Sequence, residues 1–301
     1  MRRAALVLLG AALLAAGCGG TDPAPATSAE TPAAPTVRLG TKDFSEQFIL
    51  GELYAQALRA KGFEVELKSD IGSSEIVDQA LTLGSIDMYP EYTGVLLSEI
   101  AEQPQRPRTA AAAYERAKAF EESRGFTMLA MTPFENTNAL AVKPAFARRA
   151  GVRSIADLGK AGRVLIGAPP EFRTRYEGLE GLQKVYGLDE LRVRPIQIGR
   201  QYGELDRGGV DVAAVFSTDG HLLAGDYRVL DDPERLFSFQ NAAPVVSQKL
   251  LAAAPGLAEA ADAVSAKLTT EAMQEMNAAV ALEGEAPAAV AQRFLHEQGL
   301  L

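Results

Sequence analysis

The sequence predicts an α/β chain made of two strand–helix units of similar size and a helical tail. Three observations carry this reading. Short apolar stretches alternate with longer amphipathic ones from Val37 onward, the order restarts after Pro133, and from Pro255 the pattern is helical. No internal sequence repeat accompanies the restart.

Taken in order, Val37 to Gly40 reads as a strand and Phe44 to Ala60 as an amphipathic helix with Phe48, Leu53, Ala57 and Leu58 apolar. Gly62 ends it, and Phe63 to Leu67 alternates as a second strand. A helix from Glu75 to Leu83 sets Ile76, Ala80 and Leu83 on one face and stops at Gly84. Ile86 to Tyr89 alternates as a short strand that Pro90 is expected to end, because proline cannot donate inside a sheet. Tyr89-Pro90-Glu91-Tyr92-Thr93-Gly94 then packs two aromatics, a carboxylate, a hydroxyl and a glycine into one turn before a helix with apolar Val95, Leu96 and Ile100. A strand end leading through such a turn to a helix N-terminus is where open α/β sheets place ligands. An ordinary strand-to-helix connection whose tyrosines cap the core fits the same residues. Arg106-Pro107-Arg108 interrupts the pattern, and Ala110 to Glu122 is an alanine-rich helix.

In the second unit, strands are expected at Ala139–Val142, Val164–Gly167, Arg192–Ile196 and Val210–Phe216. Short helices fall at Ser154–Leu158, Tyr176–Tyr186 and Gly203–Arg207. In the tail, Leu257 to Leu268 is one helix, Thr269 or Thr270 caps the next, and Pro287 opens a last one carrying Val290, Phe294 and Leu295. Such helices need a surface to cover, and the first unit is expected to supply it.

The chain is 47% hydrophobic and 23% charged, as suits a soluble body of one large or two medium domains. Its net charge of −9 becomes −11 without Arg2 and Arg3, which argues against nucleic acid as a partner. Those two arginines precede an apolar run, Ala4 to Leu14, too short to span a bilayer but suited to a signal peptide. Ala15-Ala16-Gly17 before Cys18 resembles a bacterial lipoprotein cleavage site, with Ala15 where leucine is usual. Cys18 is the single cysteine, so it forms no internal disulfide and is expected to be acylated. A plain secretory signal with an incidental cysteine is the alternative. The organisation that follows is a leader at 1–17, a flexible Gly, Thr, Ala, Pro and Ser stalk at 18–36, and a body held at the outer face of the cytoplasmic membrane.

The sequence holds little that reads as catalysis. His221 and His296 are the only histidines and no cysteine lies in the body, so no metal or cofactor is expected. Nucleophile-elbow, phosphate-loop and dinucleotide motifs are absent, and Asp87 with Glu91 makes a poor acid–base pair across Pro90. The chain reads as a binder and not an enzyme. A quaternary ammonium has no N–H, so a protein that selects it must offer aromatic faces, each worth roughly 0.5 to 2 kcal/mol. With no tryptophan, the faces must come from 8 Tyr and 12 Phe.

Tyr89 to Gly94 and the upstream Gly40-Thr41-Lys42-Asp43-Phe44-Ser45-Glu46-Gln47 resemble the solute-binding proteins of osmoprotectant ABC importers, which carry glycine betaine, choline or carnitine. So do Glu171-Phe172-Arg173-Thr174-Arg175, Glu177-Gly178-Leu179, Phe216-Ser217-Thr218-Asp219-Gly220 and Asn241-Ala242-Ala243-Pro244-Val245-Val246. The resemblance implies a two-lobed periplasmic-binding-protein fold of type II, mixed sheets flanked by helices with a ligand cleft between lobes. Lobe 1 would hold 37–136 and 241–301, lobe 2 would hold 137–240, and the crossovers would fall near Asn136–Asn138 and Phe239–Val245. Implied partners are a small zwitterionic or cationic solute and the transmembrane subunits of an ABC permease, with the protein a monomer.

Position by position, the resemblance assigns Lys42 to the lysine after the first strand, Tyr92 to the cage, and Arg175 to a ligand carboxylate. Val95 stands where the family usually has threonine or, in some members, aspartate. Asn138, Phe216 and Gln240 stand where it usually has tyrosine. Phe216 keeps an aromatic face, whereas amides at 138 and 240 would face a trimethylammonium group poorly. Either Phe44, Tyr202 or Phe239 completes the box, or the ligand is a hydrogen-bonding, amino-acid-like solute. A surface sensor or adaptor is the rival from another class.

Overall fold

The computed structural model describes residues 35–103, 107–237 and 239–301. The leader, Cys18, the stalk up to residue 34, and Arg106 lie outside the described residues. Two five-stranded mixed sheets form the body. The first runs in the order β2 (Val65–Lys68), β1 (Val37–Gly40), β3 (Met88–Tyr92), β10 (Ala242–Ser247), β4 (Phe126–Met128). The second runs β7 (Arg192–Pro195), β6 (Leu165–Ala168), β8 (Val212–Phe216), β5 (Asn138–Val142), β9 (Arg228–Val229). Both share one pairing pattern. β2, β1 and β3 are parallel, as are β7, β6 and β8, and the last two strands of each sheet run antiparallel.

The Tyr89–Glu91 region departs from the sequence expectation. The strand does not stop at Pro90 but continues to Tyr92, and Pro90 faces Pro244 of β10 in register. The Thr93 N–H donates to the Asn241 carbonyl (3.0 Å) and the Ser247 N–H to that of Asp87 (2.9 Å). Counting from these, the two prolines form a non-hydrogen-bonded pair, where neither ring nitrogen is asked to donate across. On the other side β1 pairs with β3 only at Leu39 and Met88, before Pro90 is reached. Ile86 is buried just ahead of the strand.

β4, β9 and β10 are strands that the sequence pattern does not reveal. In β10, Ala242 to Val246 is buried throughout and shows no alternation, as expected of a central strand covered on both faces. The first helix, Ser45–Ala60, packs β1 on one side and the helices Leu257–Ser265, Thr270–Ala281 and Pro287–Glu297 on the other. That is why Ile49, Leu50, Leu53, Tyr54 and Leu58 are all fully buried. The Tyr54 phenol meets Ser265 Oγ at 2.9 Å, holding two elements far apart in sequence. Thr269 caps its helix by accepting from Ala272 N at 3.2 Å, and Pro287 opens the last helix. Among the described residues no helix is long and apolar enough to cross a membrane.

The chain passes between the sheets after β4 and again after β9. The two passages run side by side: Glu135 bridges Asn241, and the Asn136 N–H donates to the Gln240 carbonyl at 3.0 Å.

Candidate functional site

A cleft partly open to solvent lies between the lobes where β1, β3 and β8 end and β5 begins. Six of the seven sequence-predicted ligand residues line it: Lys42, Tyr92, Val95, Asn138, Arg175 and Phe216. Asn138 and Phe216 are register partners on β5 and β8, so the antiparallel pairing of these two strands brings both to the same rim. Gln240 stands behind Val95, accepting from its N–H at 3.0 Å.

Phe44 joins the aromatic wall. Its ring lies 5.9 Å from Phe216 and 6.4 Å from Tyr92, centroid to centroid, tilted by 15° and 23°. Tyr202 and Phe239, the other aromatics considered from sequence, are elsewhere. Tyr202 stacks on His221 at 4.3 Å and donates to Asp219, while Phe239 packs with the core around Tyr89. The aromatic lining of the cleft is thus Tyr92 and Phe44 from the first sheet's side and Phe216 and Phe172 from the second's.

The two cations of the cleft already have partners. Lys42 Nζ bonds Glu91 and Ser74 Oγ (3.1 Å) and sits 4.2 Å from the Tyr92 ring centroid. Burial lowers the Lys42 ammonium below its ordinary value, with Glu91 opposing. Arg175, on the second lobe, reaches across to Glu75 with a bidentate contact (2.9 and 3.0 Å) and lies 3.9 Å from Glu99. Burial works against its charge, but Glu75, Glu171 and Glu99 outweigh it and raise its pKa. Burial raises the Glu99 carboxyl despite Arg175, and its Oε1 is enclosed without a hydrogen-bond partner.

The amides at 138 and 240 are explained by a residue that sequence reading left as a motif letter. Asn138 Nδ2 and Gln240 Nε2 both donate to Glu177 Oε2, at 3.1 and 2.9 Å. Glu177 is 6% exposed and lines the cleft. It is presented by a kinked turn, Tyr176–Glu180, whose Gly178 lies so close to Phe172 that an added Cβ would come within 2.2 Å of the Phe172 carbonyl oxygen. A side chain at 178 would push Glu177 out of place.

A second carboxylate, Glu46 on the first helix, ties the cleft floor together. Its Oε1 accepts from the Tyr92 phenol and Asn136 Nδ2, both at 2.6 Å. Its Oε2 accepts from Thr218 Oγ1 (2.5 Å) and Asn277 Nδ2 (2.7 Å). Four segments converge on one buried acid, one of them the loop after β8 in the second lobe. Burial raises the Tyr92 phenol well above its usual value, with Glu46 reinforcing, so Tyr92 stays a donor. Nothing local marks Glu46 or Glu177. The amides at 138 and 240 were the available hint, since an enclosed amide needs a hydrogen-bond partner.

Residues 35–297 match the family described as the substrate binding domain of ABC-type glycine betaine transport systems. The chain belongs to that family. It is 34% identical over 283 residues to a glycine-betaine-binding protein of Pseudomonas aeruginosa, covering 89% of each chain. It is 29% identical to the glycine betaine-binding protein YehZ of Escherichia coli, covering 91% of this chain and 94% of that one. Among solved structures, one titled as a glycine betaine/carnitine/choline ABC transporter superposes with a TM-score of 0.71 at 28% identity, over 88% of this chain and 99% of that one. Members of the family are extracytoplasmic solute-binding components of ABC importers and not enzymes. The two mixed sheets with flanking helices are the fold they share with this chain.

Proposed function

We propose that this protein captures a small quaternary-ammonium solute, such as glycine betaine, choline or carnitine, between its lobes and delivers it to an ABC permease. One observation carries the reading. The cleft wall is a run of aromatic faces, Phe216, Phe44 and Tyr92, and the ammonium of Lys42 already rests 4.2 Å from the Tyr92 ring centre. A surface that holds one desolvated cation this way suits another. In this proposal lobe 1 comprises 37–136 and 241–301, lobe 2 comprises 137–240, and the protein is a monomer tethered through acylated Cys18 and the stalk at 18–36. Lys42, Tyr92, Val95, Asn138, Arg175, Phe216 and Gln240 form the ligand site, with Phe44 and Glu177 added.

Capture is a shift between open and closed states, because a ligand touching both lobes favours closure. Gly220 supports the closed state. An added Cβ there would lie 2.4 Å from the Cα of Ala278 in the Thr270–Ala281 helix. Gly220→Val is expected to part the lobes at this contact and weaken ligand affinity on the order of tenfold, as the closed fraction falls. Small-angle scattering would show the opening, and calorimetry the affinity.

The function is tested by thermal shift with glycine betaine, choline, carnitine, ergothioneine, proline and common amino acids. A cognate ligand at a hundred times its Kd adds about 2.7 kcal/mol of stability, a visible shift. A response to quaternary compounds supports the proposal. A response to amino acids alone would favour the hydrogen-bonding cargo that Glu177, Asn138 and Gln240 also suit, and would overturn it.

A further inference from the structure

We propose that Glu75 is a positioning residue for the ligand site: from the first lobe it clamps the guanidinium of Arg175 on the second, so Arg175 is set to meet a solute only when the lobes have come together. The inference rests on the part of the reading above in which the solute carries a carboxylate, as glycine betaine and carnitine do. Arg175 lines the cleft, whereas Glu75 stands outside its lining, in the first turn of the helix Ser74–Thr82. The Glu75 carboxylate takes Nε at 3.3 Å and Nη2 at 2.9 and 3.0 Å, along one edge of the guanidinium. Those bonds leave Nη1 without a hydrogen-bond partner among the described residues. A planar fork gripped along one edge keeps its remaining donors in fixed positions.

Glu75 is itself held in place. Ser73 Oγ donates to its Oε2 at 2.6 Å, and the helix N-terminus favours an acid in its first turn. Burial raises the Glu75 carboxyl, but Arg175 and Ser73 outweigh it and keep it below its ordinary value, so it stays charged. Glu99 is a looser neighbour, 3.9 Å from Nε with no hydrogen bond to it. The hydrogen bonds on the Arg175 side chain therefore come from the opposite lobe. With the lobes apart, the side chain regains its rotamer freedom, and a solute would have to order it again. Lys42 shows the contrast. Its bonds run to Glu91 and Ser74, which belong to its own lobe, so it is set whether the lobes have met or not. One cation of the cleft is fixed in advance, and the other is fixed by closure.

The test is calorimetry of the purified protein with glycine betaine and with choline, which share the trimethylammonium group and differ in carboxylate against hydroxyl. Glu75→Gln, which keeps the shape and removes the charge, is expected to weaken glycine betaine about tenfold or more and choline by less than about threefold. Equal losses for the two would reduce Glu75 to general support of closure and overturn the inference, as would no loss at all. A second measurement needs no solute. The Arg175 Nε–H signal in the NMR spectrum, assigned by its absence from Arg175→Lys, is expected to exchange with water at least about tenfold more slowly in the unmodified protein than in Glu75→Gln. Equal exchange in the two folded proteins would overturn the inference whatever the cleft binds. Binding of neither compound would take down the onium reading alone, and the exchange rates would then decide whether Glu75 clamps Arg175.

Discussion

Glu46→Leu is expected to lower the stability of the body by about 4 kcal/mol, a fall of roughly 10 °C in Tm. Four donors lose their acceptor at once: the Tyr92 phenol, Asn136, Thr218 and Asn277. Glu46 is 3% exposed, so water cannot readily replace the lost bonds. A buried donor left alone costs about 1–3 kcal/mol, and four neighbouring losses are not fully additive. Glu46→Gln should cost less, since one oxygen remains, but its amide would face two donors across the other bond pair. Urea denaturation of both variants measures the difference. A loss under about 1 kcal/mol for the leucine variant would mean that the four donors find other partners, and that the acid does not organise the floor.

Tyr92→Ala is expected to reduce affinity for any quaternary ligand by about thirtyfold or more, since a desolvated cation–π contact is worth about 2 kcal/mol. The same change removes the anchor between Lys42 and Glu46, so stability falls as well. Tyr92→Phe separates the two effects. It keeps the face and gives up the bond to Glu46 and the longer one from Asn136 Nδ2, and should retain most of the affinity while losing about 1–2 kcal/mol of stability. Calorimetry on both variants decides. Undiminished binding by the alanine variant would sink the aromatic reading of the cleft.

Much of the fold was legible because it is written in local pattern. The first helix, the strands of the parallel halves, the cap at Thr269 and the start at Pro287 follow from periodicity and turn chemistry. Pro90 misled because the rule against proline in a sheet interior concerns the missing donor, and a non-hydrogen-bonded pair facing Pro244 does not need one. β10 was hidden because a strand buried on both faces has no alternation to read. The aromatic wall was partly legible: Tyr92 and Phe216 came from motif positions, and Phe44 was one of three aromatics that could complete it. The partners of the charges were not. Arg175 meets Glu75, Asn138 meets Glu177, and Glu46 meets Asn277 only through the packing of distant segments. Charge pairing of that kind leaves no trace in spacing.

The position of β10 also orders events in time. It lies between β3 and β4, yet it is made only after every strand of the second sheet. While the chain is being synthesised, the second sheet has all its strands before the first has its middle one. Until β10 arrives, β3 presents an unpaired edge and β4 has no neighbour, which invites wrong pairing and slows the search for the right one. The early half of the molecule therefore waits on the late half, and a chain cut short after β9 would carry one sheet with its full set of strands and one that cannot close.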